Sequence, residues 1–310
     1  MAERLLGCRV TAGQSGRADR VVQALTGVSR AWVRGLFDDD RVTINARPAP
    51  DPAAQVADGD MVEVRFDPHT RCHARPRERV DPAFRVLFED EHVIVVDKAA
   101  FVLTIPTDKM EADTLVDRVA RHLGRGGRER RPHVVQRLDR GTSGVIIFAV
   151  TRAAAVELIR QFRRHEPTRE YLALLAGSLR EDRGTIQTRL ATSRGLSRYS
   201  VRDGEAGEVA VTHFEVEARH PGATLVRVRL ETGRRNQIRV HFAEAGHPVL
   251  GDPRYAPERA RHPRWRARRL ALHASVLGLH HPVTGEELWF ESPLPEEFGR
   301  FEVARGHRGS

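Results

Sequence analysis

The sequence predicts an α+β protein of two domains. Its 310 residues are about twice the ~150-residue size of a typical domain. Residues 15–66 and the part from residue 84 onward each carry their own helical and alternating apolar patterns, and a Pro- and Arg-rich stretch separates them. Strands and helices do not alternate as in βαβ units, so we expect a mixed, largely antiparallel central sheet flanked by helices.

The first predicted domain, residues 15–66, begins with two amphipathic helices. The apolar residues of the first share the i, i+3, i+4, i+7 spacing of one helix face: Ala18, Val21, Val22 and Leu25. Ser29 is a suitable N-cap for the second helix, whose apolar stripe is Trp32, Val33, Leu36 and Phe37. Two short alternating strands are predicted at residues 41–46 and 61–66.

Residues 67–83 predict a linker, because they lack periodicity. The second domain is predicted over residues 84–305, and it opens with two apolar runs around an acidic turn in residues 86–100. This pattern is typical of a hairpin.

Helices are predicted at residues 114–123 and 152–165, where apolar residues recur at helical spacing. After Glu170 strands dominate, and residues 224–231 alternate cleanly between apolar and charged side chains.

The net charge is +9, with 51 Lys and Arg against 42 Asp and Glu, which favours a polyanionic partner such as nucleic acid. Residues 1–66 hold nine arginines and nine acidic residues, so the excess lies further along the chain. Two arginine-rich loops, residues 121–131 and 259–269, are either solvated loops or phosphate-binding loops. We expect the second role, carried by Arg264, Arg266 and Arg268.

Several classes of protein are excluded by simpler features. The two cysteines, Cys8 and Cys72, form neither a disulfide framework nor a CxxC zinc motif. His273, His280 and His281 have no acidic or cysteine neighbour at ligand spacing, so no metal is expected. The N-terminus has no apolar signal core, and residues 145–150 form the longest apolar run. We therefore expect a soluble cytoplasmic protein without a membrane partner.

The most informative segment is QRLDRGTSG, residues 136–144. In an extended backbone, Arg137 and Asp139 point to one side and Leu138 points to the core. Taken alone, an Asp before such a turn is typically a turn-capping residue. Ser143 does not fit the GxSxG nucleophile elbow, which argues against a serine hydrolase.

This segment resembles the catalytic motif of the RluA/RluD-type RNA pseudouridine synthases, in which an RLD core precedes a TSG turn. Other segments resemble the rest of that family in its order: VLFEDEHVIVVDKAA (86–100), TREYLALLAG (168–177), LETGRRNQIRVHF (230–242), GHPVLGDPRYA (246–256) and LALHASVLGLHHPVTGEELWFESPLP (270–295). The resemblance covers residues 84–297. Residues 15–66 resemble the αL RNA-binding module of the ribosomal S-four family.

The resemblance implies a cofactor-free isomerase that converts uridine in structured RNA to pseudouridine. It gives Asp139 the role of the catalytic carboxylate and Arg239 that of its ion-pair partner. Tyr171 is implied to lie against the uracil as a candidate base for the carbon 5 proton. Ile238 is implied on the other side of the ring, and Arg137 in the space that the flipped base vacates.

The partner implied by this domain order is large-subunit ribosomal RNA, with transfer RNA as a second possibility, and we expect a monomer. Arg30 and Arg34 lie at i, i+4 on the second helix, where they either track phosphates or are simply exposed. The alternative function is a non-catalytic RNA-binding ribosome-assembly factor on the same fold. A nuclease would need clustered carboxylates for metal ions, and the motif offers only Asp139.

Four residues depart from those common in the family, and they leave the target uridine open rather than the chemistry: Ala99, Gln136, Gly141 and Asn236.

Overall fold

The computed structural model describes most of the chain, in six stretches: residues 4–49, 51–67, 81–107, 110–124, 131–202 and 204–303. Contacts divide the chain into two compact units, with the boundary between residues 79 and 80. Cys72 and most of the predicted linker lie outside the described residues. Within the described stretches, no helix combines the length and apolar character that crossing a membrane requires.

The N-terminal unit packs two helices, α1 (Ala18–Thr26) and α2 (Arg30–Asp38), on a small sheet. Its strands are β1 (Arg4–Arg9), β2 (Gly16–Arg17), β3 (Val42–Ile44), β4 (Arg47–Pro48), β5 (Gln55–Val56) and β6 (Met61–Phe66). Four of them form a sheet in the order β1-β6-β3-β4, and β2 pairs with β5.

Both predicted helices of this unit are confirmed. The Ser29 hydroxyl accepts the hydrogen bond of the Trp32 N–H, and Gly27 ends α1 in the left-handed conformation with φ 71°. Strand β1 lies before the predicted start of the domain and pairs along its whole length with β6. Its side chains are exposed or half-buried, so it lacks the apolar alternation that predicts a strand.

The C-terminal unit is built on one large sheet. Its strands are β7 (Phe84–Glu89), β8 (Val93–Lys98), β9 (His133–Val134), β10 (Ser143–Ala149), β11 (Thr168–Ala176), β12 (Arg183–Thr192), β13 (Arg198–Val201), β14 (Glu208–His220), β15 (Ala223–Leu230), β16 (Leu272–His280) and β17 (Glu287–Glu291). The main order is β13-β12-β14-β15-β11-β16-β10-β8-β7, with β17 on β16 and β9 on β10. Strands β10 and β16 are parallel, and the other described pairs are antiparallel. The predicted mixed, largely antiparallel sheet is confirmed.

Four helices flank this sheet: α3 (Leu115–Leu123), α4 (Arg152–Arg163), α5 (Gln237–Glu244) and α6 (Glu296–Val303). Helices α3 and α4 were predicted, and each begins at a threonine, Thr114 or Thr151, which are favoured N-cap residues. Helix α5 was not predicted, because strands were expected to dominate after Glu170. It begins after Asn236, which has a left-handed φ of 57°.

The parallel pairing of β10 and β16 positions the segment that carries Asp139. It aligns Ser143 with His273 and Gly144 with Ala274. Gly144 has φ 112°, and a Cβ atom there would overlap the carbonyl oxygen of Ala274. Only glycine permits this approach, and the approach holds the QRLDRGTSG segment at the end of the central strands.

Candidate active site

A cleft opens where the loop before β10 and helix α5 meet the ends of the central strands. Its empty space is about 530 Å³, including the solvent at its mouth. The lining brings together the five residues that the resemblance implies for this unit: Arg137, Asp139, Tyr171, Ile238 and Arg239. Residues from three separate motifs therefore share one site.

Asp139 and Arg239 form the predicted ion pair. The Nη1 atom of Arg239 donates a hydrogen bond to Oδ2 of Asp139 at 3.0 Å, although the residues lie 100 positions apart in the chain. Their side chains are 11% and 19% exposed for Arg239 and Asp139 respectively, so the pair is largely shielded from water. An ion pair in such a place is stronger than one on the surface. The carboxylate of Asp139 accepts no bond from the following turn among the described residues, so the capping interpretation is not supported.

Asp252 holds the other side of the same guanidinium. It accepts from Arg239 Nε at 2.7 Å and from Nη2 at 2.8 Å, a bidentate arrangement that fixes the plane of the group. The side chain of Asp252 is fully buried, and its Oδ1 also accepts the backbone N–H groups of Arg254 and Tyr255. Burial acts to lower the pKa of Arg239, but the two carboxylates outweigh burial and raise the pKa above its usual range. The guanidinium is therefore charged and fixed, with Nη1 directed at Asp139.

Asn236 and Tyr255 complete the support of Arg239. The Asn236 side chain accepts from Arg239 Nη1 at 3.2 Å and donates to the Tyr255 hydroxyl at 3.0 Å. The guanidinium lies over the Tyr255 ring, 5.0 Å from its centre. Asn236 was one of the departures from the family pattern, and here it both bonds the arginine and adopts the left-handed turn that asparagine tolerates.

Tyr171 and Ile238 give the cleft its apolar surfaces. Both are buried, Tyr171 in β11 and Ile238 in the first turn of α5. Burial raises the pKa of Tyr171, and the positive charge of Arg169 only partly opposes this effect. The phenol is therefore protonated at neutral pH. A cleft that is lined by a paired carboxylate, an aromatic side chain and an aliphatic side chain suits a flat, partly apolar ring.

Comparisons with known proteins agree with this geometry. The family model for RNA pseudouridylate synthase matches residues 92–244, which include Asp139, Tyr171 and Arg239. The chain is 35% identical to the ribosomal large subunit pseudouridine synthase D of Zymomonas mobilis, over 91% of each chain. The chain belongs to the RNA pseudouridylate synthase family. The predicted family and isomerase activity on RNA are thus confirmed.

Two further matches extend this finding. The synthase is 33% identical to an uncharacterized RNA pseudouridine synthase, YlyB, of Bacillus subtilis, over 93% of this chain and 94% of the relative. Among solved structures it resembles human RNA pseudouridylate synthase domain containing 1, with a TM-score of 0.56 and 26% identity. That match covers 68% of the synthase and 84% of the human chain.

Arg137 and Leu138 alternate as predicted, although their segment is not a strand. Leu138 is buried, and its N–H and C=O groups bond to the Thr104 hydroxyl at 3.2 and 2.7 Å. Arg137 is exposed at the cleft and makes no hydrogen bond or ion pair with the rest of the described chain. Its guanidinium is therefore available to a ligand.

A buried polar network that the sequence did not reveal lies behind the cleft. Lys98 is fully buried, and its Nζ donates to the carbonyl oxygens of Ala99 and Val102 at 2.9 and 2.8 Å. Burial, together with the charge of Arg269, lowers the pKa of Lys98 to about 7. Arg269 donates to the Ser143 hydroxyl at 2.5 Å, and that hydroxyl lies 2.9 Å from His273 Nδ1.

The histidines considered as metal ligands have other contacts. His273 lies 3.2 Å from the Ser292 carbonyl oxygen through Nε2, and His281 lies 2.9 Å from Asp90. In the described stretches, no three His, Cys, Asp or Glu side chains come together as a metal site.

The arginines of the two basic loops differ in their exposure and in their partners. Arg266 and Arg268 are exposed and have no partner among the described residues. Arg264 differs from them, because its Nη2 donates to the Phe301 carbonyl oxygen and its guanidinium lies 4.7 Å from the Phe301 ring centre. Its guanidinium therefore contacts α6 and, unlike those of Arg266 and Arg268, already has a partner in the chain. In the other loop, residues 125–130 lie outside the described residues, and Arg121 pairs with Asp113.

Two residues that contact Arg239 were not singled out from the sequence, namely Asp252 and Tyr255. The signal was available, because both stand in the GHPVLGDPRYA segment that carries part of the resemblance. Nothing in the spacing, however, indicated that they contact Arg239.

Proposed function

We propose that the synthase isomerises uridine in large-subunit ribosomal RNA, with Asp139 as the catalytic carboxylate. The single observation that carries the roles is the chain of ion pairs from Asp139 through Arg239 to Asp252 in an open cleft. The choice of RNA is supported by the Zymomonas mobilis relative, a ribosomal large subunit pseudouridine synthase D that aligns with 91% of this chain.

The reaction needs few chemical groups. The bond between ribose carbon 1′ and uracil nitrogen 1 breaks, the base turns, and carbon 1′ joins carbon 5. Carbon 5 loses a proton and nitrogen 1 gains one, so the atoms balance without a redox step. Asp139 either attacks carbon 1′ and leaves it when carbon 5 bonds there, or removes the proton on carbon 2′ and later returns it. Arg239 stabilises the carboxylate in both routes.

Tyr171 and Ile238 are proposed to hold the uracil between them, with Tyr171 as the base for the carbon 5 proton. Because burial raises the pKa of Tyr171, its phenolate form is scarce at neutral pH. Proton removal by this group should therefore accelerate as the pH rises. Arg137, exposed at the mouth of the cleft, is proposed to fill the stack that the flipped uridine leaves.

The N-terminal unit is proposed to bind RNA through Arg30 and Arg34 of α2, of which Arg30 is exposed and Arg34 half-buried. The synthase is also proposed to act as a monomer in the cytoplasm. Transfer RNA is the alternative target. The assembly-factor alternative is disfavoured, because a binding protein does not need the paired Asp139.

The proposal is tested by carbodiimide mapping of pseudouridines across total RNA from cells with and without the gene. Wild type and Glu91→Gln, which changes an exposed acid outside the cleft, should restore the lost signals in large-subunit ribosomal RNA. Asp139→Asn should fail to restore them, with a rate in vitro at least about 10³-fold lower. Tyr171→Phe should lower the rate about 10²-fold with unchanged RNA affinity.

Other outcomes are equally informative. Signals lost from transfer RNA alone would reject the ribosomal target. Restoration by folded Asp139→Asn would reject Asp139 as the catalytic carboxylate.

A further inference from the structure

A second concavity adjoins the cleft, and we call it the side groove. It has about 1260 Å³ of empty space, including open solvent. The cleft and the side groove share lining residues, among them Arg137, Tyr171, Gly233 and Arg234. Its other wall comes from the end of α4 and the start of β11: Phe162, Arg163, His165 and Arg169.

The side groove is strongly basic. Its lining has four arginines and one histidine, and no Asp or Glu occurs among these described residues. Arg234 is paired with Glu208 at 3.0 Å. Arg137 and Arg163 are exposed and have no hydrogen bond or ion pair to any described residue. Like charges held together raise the free energy of the site unless an anion joins them.

Arg169 is the most unusual of these residues. It is only 8% exposed, yet it has no carboxylate partner in the described chain. Its Nη2 donates to the Glu231 carbonyl oxygen at 2.9 Å and to that of Leu230 at 3.4 Å, while its buried Nε has no hydrogen-bond partner. The Phe162 ring, 5.8 Å away, gives limited compensation. A buried charge is normally paired, so this guanidinium is incomplete without an anion.

Gly233 keeps one edge of that guanidinium accessible. A Cβ atom at this position would overlap Nη1 of Arg169. No described residue accepts a hydrogen bond from Nη1. The glycine lies on the border of both concavities, so a ligand can reach Arg169 from the side of the cleft.

We propose that the side groove binds a phosphate group of the RNA strand next to the target uridine, between Arg169 and Arg163. This inference rests on the function proposed above, because the cleft must hold the uridine. The shared lining lets a strand continue from the cleft into the groove along one surface. A phosphodiester supplies the anion that the wall lacks, and a guanidinium fork binds it in a bidentate manner.

The experiment measures binding of the full chain to large-subunit ribosomal RNA, transcribed in vitro from the source organism's gene, over a series of KCl concentrations. The variants are Arg163→Gln, Arg169→Gln, the double variant and Arg152→Gln. Arg152 is an exposed arginine at the opposite end of α4 and is the matched control.

Each single groove variant should make the plot of log affinity against log salt shallower by about 0.7, the value for one contact to single-stranded RNA. Affinity at moderate salt should fall about tenfold, as for loss of one charge-assisted bond. The double variant should match the singles, because both residues bind the same phosphate. Arg152→Gln should leave the slope unchanged.

The inference is overturned if Arg163→Gln behaves as the control, or if the double variant loses twice the slope of the singles. Arg163 is exposed, so its variant decides the matter even where Arg169→Gln fails to fold. Pseudouridine formation by wild type is measured on the same RNA. Absence of product rejects the proposed function, whereas normal product with an unchanged Arg163→Gln slope rejects the groove alone.

Discussion

The cleft and the side groove lie side by side and share a wall. They differ in whether the charge of their main arginines is paired with carboxylates. In the cleft, Arg239 contacts two carboxylates and is fixed in its plane. In the groove, Arg169 and Arg163 have no carboxylate partner among the described residues. A charge that is already paired can orient a reacting group, whereas an unpaired one is completed by a ligand. Charge pairing therefore distinguishes the proposed site of chemistry from the surface proposed to hold the substrate.

The largest effect that would test this comparison is expected from Asp252→Asn. The change keeps the size of the side chain but removes the buried charge that fixes Arg239. We expect the rate of isomerisation to fall about 10²-fold to 10³-fold, with little change in the salt dependence of RNA binding. The free energy of unfolding should fall by about 3 kcal/mol, as for a broken buried pair.

Rates on the ribosomal RNA and urea unfolding measure both quantities. The control is Glu258→Gln, which changes an acid that is 76% exposed. A normal rate in Asp252→Asn would mean that pairing does not organise the cleft.

A smaller effect is expected from pH, through the helix that carries Ile238 and Arg239. His241 in α5 is buried between the hydroxyls of Thr188 and Thr212 at 3.0 and 2.9 Å. Burial lowers its pKa to about 4 from the usual value of 6.5. Between pH 4 and pH 6.5, His241 is protonated in the unfolded chain but neutral in the folded chain. Its contribution to the free energy of unfolding is therefore fully present above pH 6.5 and is lost as the pH falls towards 4.

The loss attributable to His241 should be about 2 kcal/mol at pH 5 and should approach about 3 kcal/mol near pH 4. Urea unfolding at about pH 7 and about pH 5 measures it, and His241→Gln should show a shallower pH dependence than wild type. An equal pH dependence of the free energy of unfolding in the two proteins would show that acid destabilises the protein through groups other than His241.

The smallest effect is expected at the exposed loop. Arg266→Gln combined with Arg268→Gln should make the salt dependence of RNA binding shallower by about 0.7 to 1.4, with stability unchanged. Arg264→Gln should instead lower the free energy of unfolding and leave the salt dependence of RNA binding unchanged, because its guanidinium holds α6 at Phe301. If Arg264→Gln changes only the salt dependence, the loop belongs with the groove as a phosphate-binding surface.

The sequence predicted the cleft better than the groove, for a physical reason. Asp139, Tyr171 and Arg239 stand in segments whose residue pattern resembles one family. Arg163 and Arg169 lie in ordinary helix and strand patterns, and their lack of acidic partners arises only from tertiary packing.

The elements that the sequence missed also have causes. Helix α5 is buried on several sides, at Gln237, Ile238, Val240, His241 and Phe242, so no polar stripe marks it as a helix. Strand β1 is mostly exposed and lacks the alternation of β6, its partner. Helix α2, by contrast, was identified from its N-cap Ser29 and its apolar stripe, and α3 and α4 from apolar residues at helical spacing.

The parallel contact at Gly144 has a consequence for folding of the enzyme during its synthesis. It closes a loop between Ser143 and His273, which are 130 positions apart, and such distant contacts form late and slowly in folding. During synthesis Asp139, Tyr171 and Arg239 all leave the ribosome before β16 does. The growing chain thus carries Asp139, Tyr171 and Arg239 before β16 is available to pair with β10.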